Sequence, residues 1–179
     1  MQYISQYDSP LGPLLLASDG DAIIGLWFTK QKYFAQNQQV HYVSRDCQAF
    51  ASTREWLNIY FSGKEPDFTP PLKLNGSDFR LAVWKILLEI PYGCTMTYGE
   101  IAIKMAQKRG KKRMSAQAVG GAVGHNPIGI VVPCHRVVGS NGSMIGYAAG
   151  RAKKQYLLQC EQRLIFQNFS FPRRGRPYN

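Results

Sequence analysis

Prolines 66, 70 and 71 break this 179-residue chain into two differently patterned parts. Proline cannot donate to a strand ladder, and it biases the preceding residue away from helix. Residues 66–71 are therefore expected to be an extended linker. Before it, short apolar runs alternate with turn residues. Leu14-Leu15-Leu16-Ala17 and Ile23-to-Phe28 read as strands, punctuated by Ser9-Pro10-Leu11-Gly12-Pro13 and Ser18-Asp19-Gly20-Asp21. Residues 30–45 are polar and read as a loop. Phe50, Trp56, Leu57, Tyr60 and Phe61 recur at helical spacing, which predicts an amphipathic helix over 46–62.

After the linker the pattern becomes helical. Ser77 is placed to cap a helix from Asp78 to Ile90, with Leu81, Val83, Trp84, Leu87 and Leu88 inward. Thr97 and Glu100 have the spacing of a capping box, and Ser115 is placed to cap a helix from Ala116 to Gly124. The apolar run 128–132 is expected to be a short buried strand, and a last helix to span about 150–161. The division predicted is an N-terminal supporting unit with linker (1–70), a C-terminal unit (76–165) and a basic tail (166–179). The fold class is α/β in the α+β sense.

Charge follows the same division. Residues 1–100 hold eight Lys/Arg and ten Asp/Glu, whereas residues 101–179 hold fourteen Lys/Arg and one Asp/Glu. A small unit so basic attracts polyanions through counterion release. Nucleic acid is the first candidate and an anionic membrane surface the second; no long basic amphipathic segment supports the latter. No apolar run is long enough to span a bilayer, no signal pattern opens the chain, and a cytosolic protein is expected. Cys47, Cys94, Cys134 and Cys160 are widely spaced, which argues against a disulfide framework and a structural zinc site. The single acid of the basic part is Glu161: either a surface partner of Arg163 or Lys154, or a buried carboxylate with a function.

Two segments carry chemistry. Gln117-to-Gly124 holds three glycines, each costing about 1 kcal/mol relative to alanine inside a helix. Small residues there serve either packing or close approach of backbone to a ligand. Following a basic loop, Lys108 to Arg113, the segment completes a helix-turn-helix pattern. A major-groove reader presents long polar side chains, so this smooth helix suits the minor groove. The second segment is Pro133-Cys134-His135-Arg136-Val137-Val138. A thiol beside histidine and positive charge can become a nucleophile. In a strand, adjacent side chains oppose each other, so the pair needs a bend at 134–135, or a bridging water. A buried, inert cysteine is the competing reading.

The hexapeptide resembles the active-site signature of the O6-alkylguanine-DNA alkyltransferases, also called methylated-DNA–protein-cysteine methyltransferases. Ser9-to-Gly12, Phe79-to-Trp84, Ile90-to-Gly93, Thr97-to-Ala102, Ala118-Val119-Gly120, Asn126-Pro127, Gly146-Tyr147 and Lys154-to-Glu161 resemble family positions in the same order. The resemblance covers about residues 1–165. It implies a ribonuclease-H-like N-terminal layout and a C-terminal, mainly helical unit with a winged-helix-like helix-turn-helix. It also implies direct DNA repair: one alkyl group, taken from O6 of a flipped-out guanine in double-stranded DNA, passes irreversibly to Cys134. O4-methylthymine is a candidate second substrate. No cofactor or metal is implied, and a monomer is expected.

Residue roles follow from the same resemblance. His135 removes the thiol proton through a water, and Glu161 orients His135. Asn126 bridges the helix-turn-helix to the cysteine loop. Tyr98 helps rotate the 3′ phosphate and serves guanine N3. The carbonyls of Cys134 and Val137 accept the guanine amino group, and the Ala148 N–H donates to O6 beside Tyr147. Arg113, Ser115, Gln117, Ala118 and Gly120 line the DNA side. Many relatives have an intercalating arginine where this chain has Gln117, with Lys112 and Arg113 as the nearest substitutes. A non-catalytic DNA binder, a cysteine hydrolase and a sequence-specific regulator are the competing functions.

Overall fold

The computed structural model describes residues 2–29, 31–32 and 42–168, with side chains described to residue 162. The expected loop over 33–41, the basic tail beyond 168 with Arg173, Arg174 and Arg176, and an ion pair with Arg163 lie outside the described residues. Strands β1 (Gln2–Ser9), β2 (Gly12–Ser18) and β3 (Ile23–Phe28) form an antiparallel meander. The first turn pairs Ser9 with Gly12 across Pro10-Leu11, so the hairpin is as tight as its proline and glycine suggest. The predicted loop 30–45 ends differently: β4 (Tyr42–Ser44) joins the sheet edge parallel to β1, giving the order β3-β2-β1-β4. Three residues with one apolar member, Val43, show no alternation long enough to read as a strand.

Helix α1 (Gln48–Phe61) buries Phe50, Trp56, Leu57 and Tyr60. Leu14, Leu16, Ile23 and Leu26 of the sheet are fully buried in the same core. Helix α2 (Asp78–Leu88) starts at the Ser77 cap, whose hydroxyl accepts from the Arg80 N–H. It stops two residues before the predicted Ile90. Ile86 is fully buried while the expected inward Leu88 is 42% exposed and Leu81 only half-buried. Several leucines and isoleucines in succession leave the inward stripe ambiguous by one position. Strand β5 (Met96–Thr97) leads directly into α3 (Tyr98–Lys108), whose capping box is complete. Ser115 caps α4 (Ala116–Gly124) through the Ala118 N–H.

The expected strand 128–132 is absent. Val131 N–H donates to Gly129 O at 2.8 Å and Val132 N–H to Ile128 O at 3.0 Å, so successive tight turns use these groups locally. Ile130 has φ of 67°, and only Ile128 pairs with a strand, at Leu26. A short buried apolar run does not distinguish a strand from a packed loop; here the chain must turn back before Cys134. Cys134–Arg136 form one 3₁₀ turn, which supplies the anticipated bend at 134–135. Strand β6 (Val137–Val138) pairs parallel with β5. Helix α5 (Arg151–Asn168) runs past the expected end at 161. β3 ties the chain together: the Leu26 N–H donates to Pro127 O and the Leu26 carbonyl accepts from the Gly129 N–H, both at 2.9 Å, while the Ile23 N–H donates to Pro71 O and its carbonyl accepts from the Lys73 N–H. No helix among the described residues is long and apolar enough to cross a membrane.

Candidate active site

The 3₁₀ turn gathers the site because three consecutive side chains leave it in different directions. Cys134 is 7% exposed, and His135 is fully buried. Arg136 turns inward. Its Nε and Nη2 donate to the two oxygens of Glu161 at 2.9 and 3.1 Å, and its Nη1 donates to Ile90 O at 2.6 Å. Arg136 thus links the turn to α5 and to the chain at Ile90. Its guanidinium also lies over the Tyr92 ring, 5.5 Å from the centroid.

Glu161 is buried, not a surface residue. Its Oε1 lies 2.6 Å from His135 Nε2, and its Oε2 accepts from the Gly93 N–H at 3.1 Å. Tyr60 Oη donates to Oε1 at 2.8 Å. Burial alone would raise the carboxyl pKa. The adjoining His135 and Arg136 overcome it and hold the group down to about 2. An ionised Glu161 fixes the tautomer of its neighbour: Nε2 carries the proton and points at the carboxylate. Nδ1, buried and without a protein partner, is then the basic nitrogen. Burial lowers the proton affinity of His135, against the pull of Glu161, so the ring is suited to act as a neutral base.

Burial pushes the Cys134 thiol up, opposed by the Asn126 side chain, the Lys154 charge and the backbone N–H groups of Cys134 and His135. The resting sulfur is thus a protonated thiol. Asn126 is held in place from both sides: its amide donates to Val132 O at 2.8 Å and to Ile128 O at 3.3 Å, and its Oδ1 accepts from the Ile128 N–H. Lys154 is fully buried and donates to Val137 O and to Ile145 O. Burial lowers its pKa to about 8. It joins the floor of the site, Val137, to the loop above.

That loop carries Tyr147 and Ala148, both half-buried. The Ala148 carbonyl accepts from the Lys32 N–H at 3.0 Å. Tyr98, the first residue of α3, donates to Ile145 O at 3.2 Å. Gly146 has φ of 79°, and a Cβ there would lie 2.4 Å from Tyr98 Oη, so tyrosine and glycine require each other. On α4, a Cβ at Gly120 would rest 3.8 Å from the Tyr98 ring, an ordinary contact, and one at Gly121 would meet nothing within 4 Å. Packing inside the protein therefore does not explain the glycine at 121. Arg113, Ser115, Gln117 and Ala118 are all exposed along the same segment, next to exposed Lys111 and Lys112. His125 ends α4, its Nδ1 2.7 Å from Gly121 O. Trp27, Trp56 and Trp84 are buried, as a core role requires.

The structure thus brings Cys134, His135, Glu161, Asn126, Tyr98, Val137, Tyr147 and Ala148 into one region and places the α4 residues on its outer approach. Two members escaped the sequence. In the sequence Lys154 offers only a surface pairing with Glu161, seven residues along the same helix. Tyr60 falls on the apolar stripe of its helix; the signal for more is its hydroxyl, because a buried tyrosine normally finds a partner for it.

Two family profiles match. Residues 2–74 fit one described as "6-O-methylguanine DNA methyltransferase, ribonuclease-like domain", and residues 78–163 one described as "6-O-methylguanine DNA methyltransferase, DNA binding domain". The methylated-DNA–protein-cysteine methyltransferase of Mycobacterium tuberculosis is 44% identical over 155 residues, covering 87% of this chain and 89% of the relative. That of Haemophilus influenzae is 39% identical, covering 89% and 86%. Among solved structures, M. tuberculosis OGT in complex with DNA superposes with a TM-score of 0.77 at 42% identity, covering 90% of this chain and 93% of that one.

Proposed function

This chain belongs to the methylated-DNA–protein-cysteine methyltransferase family, and from that premise we propose that it repairs O6-alkylguanine in double-stranded DNA by moving the alkyl group onto Cys134. The observation that carries the assignment of residues is the buried Glu161–His135 pair, directly beside the only cysteine in that region that is held by Asn126 and faces the Lys154 charge.

The substrate base is rotated out of the stack, since its alkyl carbon is otherwise out of reach. His135 Nδ1 takes the thiol proton through a water, while Glu161 stabilises the imidazolium that forms. The sulfur then attacks the alkyl carbon in line. The S–C bond forms, the C–O6 bond breaks, and the electron pair returns to the guanine ring. Tyr98 serves N3, the Ala148 N–H serves O6, and the carbonyls of Cys134 and Val137 hold the amino group. The bond balance needs no metal or cofactor. A thioether leaves no thiolate to regenerate, so each molecule reacts once. O4-methylthymine, which also carries its alkyl group on a ring oxygen, is the second substrate to try. We place the reaction in the cytoplasm, where the four cysteines, all free here, remain reduced.

The direct test is incubation with a duplex carrying label on the methyl of O6-methylguanine. Label is expected to reach the protein and stop at one equivalent. Continued turnover, or no transfer, overturns the reading.

Binding is expected from the shallow side of the duplex, with α4 against the minor groove. There Gln117 fills the gap left by the flipped base less well than a guanidinium, which stacks and carries charge. Gln117→Arg should tighten binding to lesion duplex by about fivefold, on the order of 1 kcal/mol. Titration by fluorescence anisotropy at fixed salt measures it. Unchanged affinity would show that Gln117 is not a weakened position.

A further inference from the structure

We propose that Tyr60 is a positioning residue for the transfer reaction, one that sets the proton affinity of His135 through the oxygen of Glu161 they share. The proposal rests on the reading of His135 as the base.

Tyr60 belongs to α1, within the part matched by the ribonuclease-like profile, yet its hydroxyl lies in the centre of the catalytic constellation. It is fully buried, 2.8 Å from Glu161 Oε1 and 3.4 Å from His135 Nε2. Its ring is fixed by packing: stacked on Trp56 at 5.2 Å, and edge-on to Phe61, Tyr92 and His135 at 5.4, 6.0 and 6.3 Å. Burial and the Glu161 charge both oppose its ionisation, so the hydroxyl is a permanent donor. Oε1 therefore receives the Tyr60 O–H, the His135 Nε2–H and Arg136 Nη2. A carboxylate has about four acceptor sites over two oxygens, and with Arg136 Nε and the Gly93 N–H this one serves five donors.

Donors on one oxygen compete. The phenol draws charge from the atom that would stabilise a charged imidazole, and so keeps His135 neutral. The charged groups acting on His135 are Glu161 and Lys154 from α5 and Arg136 from its own turn, with Tyr92 packed edge-on to Tyr60. Arg136 and Lys154 also disfavour the imidazolium, Arg136 as a charged donor to both Glu161 oxygens and Lys154 as a charge bonded to Val137 O and Ile145 O; among the described residues only Tyr60 acts as a neutral side-chain donor on the atom that His135 also uses.

The test is Tyr60→Phe in the full chain, which keeps the ring packing and removes one hydroxyl. Two readouts are taken: the His135 titration by NMR of isotope-labelled histidine, and the acid limb of the single-turnover transfer rate against pH. Both should move to higher pH by about one unit, a tenfold change in proton affinity. Packing damage alone would lower the rate at every pH without moving either midpoint. Site-specific 3-fluorotyrosine at position 60 keeps the hydroxyl and strengthens it as a donor, so both midpoints should move the other way; this variant decides the matter if the Phe variant does not fold. Unmoved midpoints, or shifts of the wrong sign, overturn the proposal. A shifted NMR titration with an unmoved rate limb upholds Tyr60's control of His135 and overturns His135 as the base.

Discussion

Glu161→Gln is expected to slow alkyl transfer by about two to four orders of magnitude, the range seen when a positioned base loses its orienting carboxylate. It should also destabilise the fold by about 3–5 kcal/mol, because removing one member of a buried ion pair strands the other. Geometry explains both effects. The carboxylate accepts from Tyr60, His135, the Gly93 N–H and two Arg136 nitrogens. Glutamine keeps the shape but turns one acceptor into a donor facing these donors, and Arg136, buried against the face of the Tyr92 ring, loses its countercharge. Against a total stability of about 5–15 kcal/mol this is a large share, so the rate must be measured where the variant is shown to be folded. The pH dependence gives a separate reading. The Glu161 pKa is depressed, so its stabilisation is complete above the ordinary carboxyl value of 4.5 and is lost as pH falls towards about 2. The His135 proton affinity is also lowered, so protonation of the unfolded chain withdraws stability as pH falls below the ordinary value of 6.5. Urea unfolding of the parent chain should therefore weaken in two stages on acidification, and Glu161→Gln should reduce the lower stage to what the carboxylates Asp19, Glu89 and Glu100, also lowered by their partners, contribute. A variant with unchanged rate and unchanged acid profile would remove Glu161 from the mechanism.

How much of this was legible beforehand depends on the range of each interaction. The caps at Ser77, Thr97 and Ser115 were readable because capping is decided within four residues. Charge scarcity marked Glu161, but composition could not say whether a lone acid faces water or a histidine; only α5 packing against the 134–136 turn decides that. The run 128–132 misled because buried apolar residues look alike in a strand and in a folded-back loop. What fixes the loop is Asn126, whose side chain satisfies the backbone at Ile128 and Val132 that a ladder would otherwise serve. Lys154 and Tyr60 were least visible. Each reaches the site from a helix whose periodicity explains it as ordinary burial, and their polar atoms acquire meaning only from partners 17 and 101 positions away.

Cys134→Ser is expected to abolish transfer altogether while leaving binding to lesion duplex intact. The parent sulfur rests as a thiol, since burial outweighs the groups that would ionise it, and in the proposed mechanism it becomes nucleophilic only as His135 removes its proton. A serine hydroxyl holds its proton far more tightly, so the same base leaves it unreactive. Size and burial barely change, and the exposed residues along 111–118 that are proposed to face DNA are separate from the turn. Intact mass after reaction is the measurement: the parent should gain about 14 Da, one hydrogen replaced by one methyl on a covalent nucleophile, and the variant nothing. The alternatives are well defined. Exposed Cys94 and half-buried Cys47 and Cys160 are free thiols, and a non-specific methylating reagent would favour Cys94. If the variant still gains one methyl, the acceptor is one of these three and the buried Glu161–His135 pair has no nucleophile to serve. If the variant gains none but also fails to bind, the sulfur is needed to hold the base as well as to attack it, and the separation between the α4 surface and the 134–136 turn is wrong. Loss of the mass gain with retained affinity is the single outcome that makes Cys134 the acceptor and α4 the independent means of delivery.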